Sequence, residues 1–61
     1  MQYGDEEPLT VPEVAAYLRL SRSRIYTLIQ QEKIRTILMD GSRRVKFREV
    51  RRFVDSFQVT S

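Results

Sequence analysis

Neither cysteine nor histidine occurs in this chain of 61 residues. Disulfides, the usual zinc sites and the commonest acid–base side chain are therefore excluded, and neither a cofactor nor a catalytic residue is expected. No apolar run approaches the length of a membrane span, and no leading segment resembles a secretory signal. A cytoplasmic protein without a membrane partner is the expectation. So short a chain makes one domain with a modest core.

What is present is basic charge, unevenly placed. All eleven Lys and Arg lie between Arg19 and Arg52, with only Glu32, Asp40 and Glu49 among them. Asp5, Glu6, Glu7 and Glu13 precede that span and Asp55 follows it. Clustering of this kind fits a phosphate-binding surface better than general solubilisation, the plainer alternative being a solvated basic face.

Leu18 to Gln31 is the most informative stretch. Ser21 is a good N-cap, and Ile25, Leu28 and Ile29 recur at helical spacing to make one apolar face. At 3.6 residues per turn the opposite face carries Ser23, Thr27 and Gln30, flanked by Arg22 and Tyr26 on one side and Arg24 on the other. A short helix over Arg22 to Gln31 with arginines and hydroxyls in its first turn has the chemistry of a major-groove reader.

Residues 1–8 hold little apolar material and three adjacent acids, so a frayed, disordered tail is expected there. Thr10-Val11-Pro12-Glu13 has the form of a capping box with proline in the first turn. Val11, Val14, Ala15 and Leu18 follow at i, i+3, i+4 and i+7, predicting a first helix over residues 11–18. Only Arg19-Leu20-Ser21 separates the two helical patterns, which predicts a helix-turn-helix with Leu20 as the apolar plug of the turn.

From Ile34 the period shortens toward alternation, and Asp40-Gly41 carries a hairpin-turn signal before Arg43-Arg44-Val45-Lys46-Phe47. The inner side of this hairpin is assigned to Ile37, Val45 and Phe47, with Arg44 and Lys46 outward and Ser42 and Arg43 near the tip. Met39 reads as core filler and Tyr17 as partly buried. Val50, Phe53, Val54 and Phe57 predict a third helix over Arg48 to Phe57 that closes the core. The fold expected is mainly α with a β-hairpin, a small winged helix-turn-helix in the order α-α-β-β-α. It spans residues 9–57, with a loose end at 58–61.

The runs Leu9-Thr10-Val11-Pro12-Glu13-Val14-Ala15-Ala16-Tyr17-Leu18 and Ser21-Arg22-Ser23-Arg24-Ile25-Tyr26-Thr27-Leu28-Ile29 resemble the excisionase-like branch of the MerR-type winged helix-turn-helix domains. These include recombination directionality factors of mobile elements and small transcriptional regulators. The resemblance implies a second helix in the major groove and a wing on the backbone and adjacent minor groove of double-stranded DNA. By position it assigns Arg22, Ser23, Arg24, Tyr26 and Thr27 to the major groove, and Ser42, Arg43, Arg44 and Lys46 to the wing. It further implies self-association on adjacent sites, DNA bending, and a tyrosine or serine integrase as partner, in a prokaryotic, nucleoid-associated setting. The branch often carries glycine where Arg19 and Glu32 stand here. It also commonly approaches the third helix through a proline-led segment that this chain lacks.

Arg24, near the start of the helix, can bind guanine O6 and N7 in two-pronged fashion or hold a phosphate, while Arg22 reads as a phosphate clamp. Tyr26 is not a recombinase nucleophile, because that chemistry needs a larger scaffold and further acids; a phenol donating to phosphate fits better. Arg43, Arg44 and Lys46 suit DNA, although charge on an exposed hairpin also protects its edges. Arg48, Arg51 and Arg52 read as a solvated helix face that pairs with acids. The function expected is that of a non-enzymatic DNA-binding factor of excisionase type. The alternatives are a promoter-binding regulator, the DNA-binding domain of a larger recombinase, or a protein-interaction module.

Overall fold

A computed structural model describes residues 3–57. The elements are β1 (Pro8–Leu9), α1 (Val11–Leu18), α2 (Arg22–Gln30), β2 (Ile37–Met39), β3 (Ser42–Lys46) and α3 (Phe47–Asp55). They form a winged helix-turn-helix with three helices and a small antiparallel sheet in the order β1-β3-β2.

Local chemistry sets the helix starts. The Thr10 amide donates to Glu13 Oε1 at 2.8 Å and the Glu13 amide returns to Thr10 Oγ1 at 3.3 Å, the reciprocal pair of a capping box. Ser21 Oγ accepts from the Arg24 amide at 3.1 Å and begins α2. The helix ends are closed by backbone. Leu20 N–H reaches Ala15 C=O and Arg19 N–H reaches Ala16 C=O; Lys33 N–H reaches Leu28 C=O and Glu32 N–H reaches Ile29 C=O. Each is a Schellman pair, which requires one left-handed residue. Arg19 (φ 58°) and Glu32 (φ 59°) supply it. Both are residues with a Cβ in a backbone conformation that favours glycine, at a cost of about 1–2 kcal/mol each.

Asp40 (φ 49°) and Gly41 (φ 77°) turn the hairpin, both with the positive φ that a two-residue turn matching strand twist demands. Beneath it the core gathers Leu9, Val14, Ile25, Leu28, Ile34, Val45, Phe47, Val50 and Phe53, each buried. Burying side chains of this size contributes about 1.5–3 kcal/mol each.

Several sequence expectations are corrected. Residues 3–8, expected as frayed tail, are tied down, while Met1, Gln2 and the proposed loose end at 58–61 lie outside the described residues. Pro8 and Leu9 pair with Lys46 and Val45, and the Glu7 and Asp5 carbonyls accept from the Phe47 and Arg48 amides at 3.0 and 2.8 Å. These carbonyls occupy the first amides of α3, where Lys46 offers no side-chain cap. The Tyr3 ring meets Tyr17 and Phe47 at centroid distances of 6.2 and 5.4 Å. Phe47, expected on the strand, opens α3.

Ile37 does not share an inner side with Val45: the register sets it opposite Arg44, and Ile34 takes the core position instead. Leu20 is 39% exposed because the Schellman bonds close the turn without an apolar plug. Met39 is 45% exposed because it lies opposite Ser42 at the hairpin tip, beyond the covered part of the sheet. On α3 the inward positions are Phe47, Val50 and Phe53. Val54 and Phe57 fall beside that stripe, and Phe57 is 63% exposed.

Substituting Glu32→Gly should relieve the left-handed residue after α2 and stabilise the fold by about 1 kcal/mol. A thermal melt by circular dichroism should then show Tm higher by roughly 4–8 °C. An unchanged or lower Tm would mean that the Glu32 side chain offsets its backbone strain.

Candidate nucleic-acid interface

α2 buries Ile25 and Leu28 and half-buries Ile29, so its opposite face is open. Arg22, Ser23, Arg24 and Tyr26 are exposed on it, Tyr26 at 57%. The Thr27 hydroxyl donates to the Ser23 carbonyl at 3.0 Å, which satisfies its donor within the helix, and the side chain is half-buried. Arg24 stands at the edge of this face and lines a cleft with Leu28, Phe53 and Phe57. The five side chains expected on the reading face thus share one helix, with Arg24 set toward α3.

The wing residues divide. Ser42 and Arg43 are exposed near the tip, and Arg43 Nη1 donates to Thr36 Oγ1 at 2.9 Å. Arg44 is half-buried, with Nη1 donating to the Arg43 carbonyl at 3.0 Å. Lys46 lies at the other end of β3, opposite Pro8, where its Nζ meets Glu6 Oε1 at 2.9 Å. Geometry therefore sets Ser42 and Arg44 on one face of the wing and Arg43 on the other, and leaves Lys46 with the N-terminal arm.

The ion pairs sort the cations by region. Glu6 takes Lys46 and Arg48, Asp5 takes Arg51 at 2.7 Å, and Glu49 takes Arg52 at 2.6 Å. Arg48, Arg51 and Arg52, read from sequence as a face that pairs with acids, do so. The exposed pairs of Asp5 and Glu6 add little stability, but they neutralise the surface that carries them. Among the described residues, Arg19, Arg22, Arg24, Lys33, Arg35, Arg43 and Arg44 have no carboxylate within ion-pair distance. They lie on α2, the two loops flanking it, and the wing. Arg19, Lys33 and Arg35 were absent from the residues singled out by sequence; their place immediately beside the second helix was the available signal.

Glu49 secures the connection between α2 and the wing. Its carboxylate receives Arg52 Nε at 2.9 Å and the Arg35 amide at 2.9 Å, and Arg52 Nη2 also reaches the Lys33 carbonyl at 3.0 Å. Hydrogen bonding from Arg52, aided by the Arg35 amide and opposed by partial burial, holds the Glu49 carboxyl below its ordinary value. Glu6 is lowered chiefly by the hydrogen bond from Lys46, and Glu13 by those from the Thr10 backbone and hydroxyl.

With two helices in helix-turn-helix order, a hairpin wing and a third helix, this is a helix-turn-helix protein. A profile of the helix-turn-helix domain family matches residues 8–57, and the chain belongs to that family. A protein named excisionase from Streptomyces ambofaciens is 48% identical to it over 48 residues, covering 79% of this chain and 77% of the relative. No solved structure matches the chain.

Depressed carboxyl pKa values stabilise the fold above the unfolded value, and that contribution is lost as pH falls through the folded one. The Tm should therefore hold from neutral pH down to about the reference value of 4.5 and decline as pH falls below it. Glu49→Gln should lower Tm at neutral pH and flatten the decline, with Glu6 and Glu13 supplying the remainder. Parallel curves for the two proteins would remove Glu49 from this role.

Proposed function

We propose that this protein binds duplex DNA sequence-specifically and acts, without chemistry of its own, as an architectural factor of the excisionase type. The observation that carries the reading is the sorting of charge. Acids neutralise the cations of α3 and the base of β3, while those of α2, its flanking loops and the wing tip stay available to phosphates. Arg22, Ser23, Arg24, Tyr26 and Thr27 enter the major groove, and Ser42, Arg43 and Arg44 follow the backbone beside it. Lys46 contributes only where phosphate displaces Glu6.

The similarity to a named excisionase supports a role in excision of a mobile element in a prokaryotic cell. Left-handed residues at the two positions where the MerR-type branch carries glycine support placement in that branch. A surface of this size covers about one half-site, so single copies bind modestly and with steep salt dependence. Useful occupancy then comes from copies on adjacent sites. Together they bend the duplex and help an integrase assemble.

Selection from a random duplex pool of roughly four helical turns tests this directly. Tandem motifs in helical phase are expected; an inverted repeat would favour a dimeric regulator, and no enrichment would refute sequence-specific binding.

Individual side chains separate by their salt dependence. Arg24→Ala should cost about 1–3 kcal/mol and relax preference at one base pair. Arg22→Ala should weaken all sequences alike and lower the slope of log affinity against log salt by about 1. Titrations of both variants at several salt concentrations check the assignment, and identical behaviour would reduce Arg24 to a phosphate contact.

A further inference from the structure

We infer that Thr36, Arg43 and Arg35 form a seat for one backbone phosphate at the junction of α2 and the wing, with Thr36 as the residue that positions Arg43. The inference rests on the DNA-binding reading above and adds two residues, Thr36 and Arg35, that neither sequence pattern nor similarity assigned.

The bond from Arg43 Nη1 to Thr36 Oγ1, 2.9 Å long, bridges from β3 to the residue before β2. It uses one of the five guanidinium N–H groups and one lone pair of the hydroxyl. Thr36 O–H is left without an acceptor among the described residues, and four N–H donors of Arg43 remain. Thr36 and Arg43 line a cleft of about 390 Å³ together with Arg35, Ile29, Ile34 and Glu32. Two guanidiniums stand there against one carboxylate, which leaves a net positive cleft suited to a singly charged phosphodiester. A planar guanidinium can receive both non-bridging oxygens at once.

The seat is held before any ligand arrives. The Arg35 amide is fixed by Glu49 Oε2 at 2.9 Å, and Ile34 beside it is 1% exposed, so the loop backbone is anchored where it lines the cleft. Thr36 then confines a long arginine side chain that would otherwise lose rotamer freedom on binding. Because the cleft opens between the recognition helix and the wing, the phosphate it takes belongs to the strand that passes from one to the other.

The test compares Thr36→Val, which keeps the β-branched shape and removes the hydroxyl, with Thr36→Ser, which restores it. Binding is titrated on a selected duplex and on an unrelated one, after thermal melts establish that each variant is folded. Thr36→Val should weaken binding about fivefold on both duplexes with an unchanged salt slope, and Thr36→Ser should recover it. Arg43→Ala should lower the slope by about 1 and make Thr36→Val silent in its background. A duplex with a neutral methylphosphonate at the seated position should bind wild type and Thr36→Val equally, which ties the seat to a DNA phosphate rather than to free anion. Wild-type binding by Thr36→Val, or full additivity of Thr36→Val with Arg43→Ala, would overturn the inference while leaving DNA binding intact. A wild-type chain that binds no duplex would overturn both.

Discussion

The structure depends on a junction without a loop: β3 ends at Lys46 and α3 begins at Phe47. The N-cap position falls on Lys46, whose side chain carries no acceptor, so the first amides of the helix need acceptors from elsewhere. The carbonyls of Asp5 and Glu7 provide two of them. That requirement draws the N-terminal arm across the start of α3 and lets Pro8–Leu9 extend the sheet. It also places the Tyr3 ring against Phe47, which covers the helix start from solvent.

The charge distribution follows from the same constraint. Once the arm is held by its backbone, Asp5 and Glu6 lie beside Lys46, Arg48 and Arg51 and pair with them. A backbone capping requirement thus has an electrostatic consequence at long range, since it removes one side of the molecule from competition for phosphate. The cations left without a carboxylate partner among the described residues sit on α2, its flanking loops and the wing.

Features written in local pattern were legible in the sequence. The capping box, the Ser21 N-cap, the apolar stripe of α2 and the Asp-Gly turn each depend on residues within a few positions of one another. What escaped was set by distant partners. The order of residues 3–8 depends on pairing with residues near position 46, and the displacement of Ile37 depends on a register that alternation alone cannot fix. Strand and helix periods also meet at Phe47, so its apolar side chain fitted either reading. Of the site, the face of α2 was readable from its period, whereas the separation of Lys46 from the wing tip required the N-terminal strand to be seen.

The segment between α2 and β2 shows how so small a protein can hold a helix and a hairpin at a fixed span. Residues 31–36 contain no regular structure, yet Ile34 anchors them in the core, the Arg35 amide is held by Glu49, and the Lys33 carbonyl by Arg52. Arg43 closes the far side through Thr36. A flexible connection would leave the wing to be ordered on binding, at about 0.5–1.5 kcal/mol for each immobilised side chain. With few contacts available, such losses would consume much of the affinity. Anchoring the loop through α3 gives the third helix a part in the spacing of α2 and the wing: its Glu49 and Arg52 hold the backbone that joins them.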